Sequence, residues 1–193
     1  FTIFYVPMVP IIIFIFKKDF LHWSVWPSVI LCLIGGYLLT NFQDATVRLG
    51  DTLVILGALF WSTHIIFTGM IIKKYNLPLT IGAIQTLLVA LFSFVIGLFS
   101  EEFVIENILN EIDSILYAGI LSGGFAFVLQ IYAQRNITPA PAAIIFSLEG
   151  VFATIAAWFL LNQILGINNL LGCFLILSGV LLSQLVPLIK KTT

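Results

Sequence analysis

Long apolar runs, separated by short polar turns, fill almost the whole of this chain. Seven of them lie at roughly 1–16, 26–42, 51–72, 77–99, 114–133, 139–161 and 164–188. About 20 consecutive apolar residues cross a bilayer core as a helix. The runs are continuous and do not alternate residue by residue, which argues against a β-barrel. A backbone in lipid must satisfy its own hydrogen bonds, so the pattern predicts an all-α polytopic membrane protein with about seven transmembrane helices. The first run is short, as a helix cut upstream would be. The longest connection, SEEFVIENILNEID at 100–113, mixes acids with apolar residues and predicts a short amphipathic helix at the membrane interface.

Composition closes off other classes. The chain is 61% hydrophobic and 9% charged, where soluble domains carry about a quarter charged residues. No metal-ligand spacing, phosphate loop or basic nucleic-acid patch is present. The chain is therefore expected to use no cofactor or metal and to bind no nucleic acid. Cys32 and Cys173 both sit inside apolar runs and read as small apolar fillers.

Charge placement sets the orientation. Lys17 and Lys18 follow the first run, Lys73 and Lys74 the third, Arg135 the fifth, and Lys190 and Lys191 the seventh. These are seven of the eight basic residues, and they share one side, which the positive-inside rule makes cytoplasmic. The opposite side carries Asp44, Asp51, Glu101, Glu102, Glu106, Glu111 and Asp113, with Arg48 as its one cation. Thr193 is then cytoplasmic and Phe1 extracytoplasmic. Phe1 has no basic region before it and does not read as part of a signal peptide. An odd number of helices upstream would bring the true N-terminus inside.

A weak internal repeat accompanies this topology. IFYVPMVPIIIFIF (3–16) followed by SVILCLIGGYLL (28–39) parallels IFSLEGVFATIAAWF (145–159) followed by NLLGCFLILSGVLL (169–182). The first copy enters the cytoplasm where the second leaves it. Inverted repeats of this kind build secondary transporters, with a site near the midplane between halves.

Few polar groups lie inside the runs, and they are the candidate chemistry. Glu149 stands alone near the middle of the sixth. An acid at that depth is costly in lipid and usually faces a bundle interior or a watery cavity. Ala142, Phe146, Ala153 and Ala156 share its helix face. In the third run Gly57, Trp61, His64 and Thr68 share a face. His64 reads equally as a packed histidine and as a cavity lining. Gln130 and Gln134 stand one turn apart near the cytoplasmic end of the fifth. Gly119 and Gly123 form a GxxxG pair that permits close helix approach, with a hinge as the alternative. Pro7 and Pro10 read as a kink or as a broken helix that bares backbone groups. The runs at 28–40 and 166–186 have no polar face and are candidates for the outside of the bundle and for a homodimer contact.

The stretch LQIYAQRNITPAPAAIIFSLEGVFATIAAWFLL at 129–161 resembles the last repeat of the drug/metabolite transporter superfamily, in its EamA-type branch. The family signature Ser-Leu-Glu-Pro-Val-Phe-Ala corresponds to Ser147 through Ala153, with Gly150 in place of the proline. GDTLVILGALFWSTHIIFTGMIIKK at 50–74 is similar to the family's sixth helix, with Gly50, Asp51 and Trp61 at its usual marks. The family's terminal Gly-Glu is Asn162-Gln163 here. The resemblance covers nearly the whole chain. It implies a ten-helix protein of two inverted five-helix repeats, with 1–43 the end of the first repeat and 44–193 the second. The chain would then hold helices four to ten, and such a fragment is expected to insert but not to transport.

Together these readings predict a secondary transporter, not an enzyme, that exports small metabolites, amino acids or amphipathic compounds. It would lie in the bilayer of a bacterial inner membrane. Glu149, His64, Trp61 and Gln130 are its candidate substrate-binding or coupling residues. The alternative is a seven-helix receptor or sensor. A retinal protein is disfavoured because all six lysines are paired at segment ends. A membrane-embedded enzyme is disfavoured because Glu149 has no acidic partner within the apolar runs.

Overall fold

A computed structural model describes residues 2–17, 21–40 and 49–189. Lys18, Asp19, Asp44, Arg48, Lys190 and Lys191, which bear on the orientation or the family comparison, fall outside the described residues. Every regular element described is helical. A 3-10 turn (Thr2–Phe4) leads into α1 (Tyr5–Lys17), followed by α2 (Val25–Leu39), α3 (Leu49–Tyr75) and α4 (Pro78–Ser100). Short α5 (Ile105–Asn110) and α6 (Ile112–Leu116) lead into a π-helical stretch (Tyr117–Ala126) and α7 (Phe127–Ala133). The chain continues through α8 (Pro139–Phe146), α9 (Leu148–Leu160) and α10 (Ile167–Ile189). Five helical spans are long and apolar enough to cross a membrane: Leu49–Tyr75, Pro78–Ser100, Ile112–Ala133, Pro139–Leu160 and Ile167–Ile189. Two shorter apolar helices, Thr2–Phe16 and Val25–Leu39, occupy the first two predicted runs.

Local chemistry explains the helix ends. α3 stops because Asn76 turns into the left-handed region at φ 55°. Asparagine tolerates that conformation better than most residues. Its N–H still reaches the Ile72 carbonyl at 2.9 Å, and Pro78 then opens α4, where a missing N–H costs nothing. α9 ends similarly: Asn162 has φ 51°, and the N–H groups of Leu161 and Gln163 both donate to the Ala157 carbonyl. α1 runs unbroken through Pro10, and Pro7 lies in its first turn. The proline pair therefore does not break α1.

The chain forms two compact units, 1–67 with 137–193 and 68–136. In the first, α1, α2, α8, α9, α10 and the first part of α3 share one core. Val6, Val9, Cys32, Ile65, Ile144 and Ile176 are its fully buried members. α2 and α10 form its tightest seam. A Cβ on Gly35 would lie 2.7 Å from the Gly172 carbonyl, and a Cβ on Gly172 would lie 2.7 Å from the Gly35 carbonyl. A Cβ on Gly179 would lie 2.9 Å from both Cys32 Sγ and the Ser28 carbonyl. Contacts that descend one helix as they climb the other make the pair antiparallel. Small residues let the backbones meet, as membrane helix pairs require. The two helices expected on the outside thus bury their small-residue faces against each other.

In the second unit, Gly82 of α4 admits Val128 and Ile131 of α7. Gln85 Nε2 donates to Thr68 Oγ1 at 3.2 Å. Most large apolar side chains here are exposed, among them Phe92, Phe99, Leu121 and Phe125, as surfaces facing lipid tails are. The GxxxG pair differs from expectation. Gly119 has nothing within 4 Å of its would-be Cβ, and Gly123 and Gly124 meet only the carbonyls of Ala118 and Gly119, at 3.3 Å. Those carbonyls lie five residues back on the same helix. The glycines therefore accommodate the wider π turn and serve no helix–helix seam.

Candidate functional site

The sixth apolar run is one membrane span but two helices. Ser147 interrupts it. Its N–H donates to the Ile144 carbonyl, and the Gly150 N–H donates to the Ser147 carbonyl, both at 3.2 Å. These three-residue steps replace the four-residue ladder of an α-helix and mark a tightened turn. The Ser147 hydroxyl donates to the Ile144 carbonyl as well and lies 3.4 Å from Cys32 Sγ. A serine that bonds back to its own helix competes with the ladder and bends it. Glu149 consequently falls in the first turn of a new helix, α9. There the positive end of the helix dipole faces a negative charge.

Glu149 is exposed, and the surface it reaches is the wall of a cavity of about 260 Å³ within the first unit. α1 contributes Tyr5, with Thr2 and Ile3 just before it. α2 contributes Gly36 and Leu39, with Thr40 at its end. Phe146, Ser147, Gly150 and Ala153 come from the broken span, and Ile176 from α10. Tyr5 is 6% exposed and Ser147 4%, so the wall is built into the core. Gly150 helps make the room: its would-be Cβ would sit 3.4 Å from Leu39. No Lys, Arg or His lines this cavity. Two larger concavities, around Trp158 and Gln163 and around Asn168 and Asn169, contain no ionisable side chain.

The other candidates lie elsewhere. Trp61 and His64, on α3, stack with ring centroids 5.0 Å apart and 17° between planes. Trp61 packs against the core of the first unit. Neither ring lines the Glu149 cavity. Of the predicted α3 face, Gly57 has nothing within 4 Å, whereas Thr68 is buried. Gln130 is half-buried on α7, in the second unit. One turn on, Gln134 is fully buried with neither amide atom bonded.

Sequence reasoning missed Tyr5 and Thr40 as partners of Glu149, and saw Ser147 only as part of a motif. No spacing links these residues, because they meet through the packing of three separate helices. The serine two positions before the acid was the available signal, since a hydroxyl inside an apolar helix bonds to the preceding turn.

A helical bundle of several membrane-crossing spans, with one carboxylate opening onto a small internal cavity, defines an integral multi-pass membrane protein of the transporter kind. Residues 48–185 match the model of the EamA-like transporter family, and the chain belongs to that family. It is 30% identical over 187 residues to an uncharacterized transporter of Archaeoglobus fulgidus, covering 94% of this chain and 58% of the relative. It is 26% identical over 159 residues to the uncharacterized transporter YoaV of Bacillus subtilis, covering 79% of this chain and 52% of the relative. The plant protein WALLS ARE THIN 1 of Arabidopsis thaliana is 28% identical over 165 residues, covering 82% of this chain and 40% of its own. The chain thus spans little more than half the length of the first two relatives. No solved structure matches it.

Proposed function

We propose that this protein is a secondary transporter that exports small metabolites, amino acids or amphipathic compounds by alternating access, and that its work is transport and not catalysis. Family membership supports transport over a receptor or sensor role. One observation carries the choice of site: the break at Ser147 presents Glu149, the one acid within the apolar runs, to an internal cavity. A broken membrane helix beside a polar group is how transporter sites are commonly built. In this reading Glu149 contacts or couples the substrate, and Trp61, His64 and Gln130 line other parts of its path. Residues 1–43 close a first five-helix repeat and 44–193 form a second, inverted one. The membrane is the bacterial cell membrane, with the C-terminus cytoplasmic and a homodimer as the assembly.

The test is efflux from cells and from vesicles holding the full-length protein, screened over amines, amino acids and organic acids. Glu149→Gln should reach the membrane at the normal level and lose export. A variant exporting like the wild type would remove Glu149 from the mechanism.

A further inference from the structure

The Glu149 cavity is rich in acceptors and poor in donors. Its one charged group is the carboxylate. The Thr40 hydroxyl already donates to the Gly36 carbonyl at 2.8 Å, and the Ser147 hydroxyl donates to the Ile144 carbonyl. With their protons committed, both oxygens offer only lone pairs to a guest. Tyr5 and Phe146 add aromatic rings, and Leu39 and Ile176 add apolar wall. An anion entering here would meet a like charge and no cation. A neutral guest would leave the carboxylate without a counter-charge in a low-dielectric site, which is costly. An ammonium group supplies both the missing charge and N–H donors, and aromatic faces attract cations. The volume of about 260 Å³ lies below the roughly 300–1,000 Å³ typical of drug-sized sites, so the guest is small.

We propose that this cavity recognises a small organic ammonium ion, with the Glu149 carboxylate facing the nitrogen and the Tyr5 and Phe146 rings beside the carbon body. The proposal rests on the reading of this cavity as the substrate site and specifies the substrate class.

The experiment measures equilibrium binding of phenethylamine to the purified full-length protein in detergent, beside the neutral 2-phenylethanol and the anionic 3-phenylpropanoate. The amine should bind saturably and at least about tenfold more tightly than the alcohol, a gap of about 1.4 kcal/mol. The anion should not bind. Glu149→Gln should weaken the amine at least about tenfold and leave the alcohol unchanged. Ala153→Phe, which fills the cavity but keeps the acid, should weaken the amine too. Equal binding of amine and alcohol, no saturable amine binding, or wild-type amine affinity in Glu149→Gln would each overturn the proposal. The wild-type comparison decides the matter even if a variant fails to fold. Vesicle transport separates the two readings. Selective amine binding without export of any compound would keep the ammonium site and discard the transport reading. Export without amine binding would do the reverse.

Discussion

At Gly35 and Gly172 any side chain meets a backbone carbonyl at 2.7 Å, and a carbonyl cannot swing aside. Gly35→Ala and Gly172→Ala should each destabilise the protein by about 1–3 kcal/mol, the usual range for overpacking. Gly57 is the control: it lies in α3 with nothing within 4 Å, so Gly57→Ala should stabilise the helix by up to about 1 kcal/mol. Thermal denaturation in detergent measures all three. A neutral Gly35→Ala would mean that α2 and α10 are not held this closely. Glu149 obeys a different rule. It is exposed at a cavity wall, so its removal should change function and spare the fold. Glu149→Gln is expected to match the wild type in membrane level and thermal midpoint while export falls at least about tenfold, or about 1.4 kcal/mol. A variant that fails to accumulate would make the acid structural.

At the scale of the element, length and hydropathy made the spans readable. All seven predicted runs are helical, because no other structure satisfies a backbone in lipid. What hydropathy does not encode is irregularity within a span. The break at Ser147 and the π turn at Tyr117–Ala126 both lie inside apolar runs of ordinary composition. The first depends on a hydroxyl bonding backwards. The second depends on glycines whose pattern also suits a packing seam, which is how Gly119 and Gly123 read from sequence. Pairing was the other blind spot: Gly35 and Gly172 are far apart in the chain, and neither helix carries a polar face to advertise its partner. The break itself is testable. Ser147→Ala removes the hydroxyl bond to Ile144 and should let the regular ladder re-form across 146–148. Glu149 would then be turned away from its cavity. Export should drop about tenfold, or about 1.4 kcal/mol, with protein level unchanged. Full export would show that the hydroxyl does not position the acid.

For the molecule as a whole, charge asymmetry sets the orientation, and the described helices carry it in matching places. α3 has Asp51 in its first turn and Lys73 and Lys74 in its last, which also suits the helix dipole. Arg135 lies 4.9 Å over the Tyr132 ring just past α7, and Lys74 lies 5.0 Å over the Tyr75 ring. Cations and aromatics of this kind anchor helix ends at a membrane interface. The acids Glu101, Glu102, Glu106, Glu111 and Asp113 gather between α4 and the π-helical stretch, at the other end of those spans. We therefore predict that the turns at 73–77 and 134–138 face the cytoplasm, and 101–111 the opposite side. The check is single-cysteine labelling by a membrane-impermeant maleimide, after replacing Cys32 and Cys173. In intact cells a cysteine at Asn107 should label, and cysteines at Asn76 and Asn136 should label only after the membrane is opened. Labelling of Asn76→Cys from outside would invert the molecule. The Glu149 cavity, lined by Tyr5 at the start of α1 and Thr40 at the end of α2, would then open toward the cytoplasm instead of away from it.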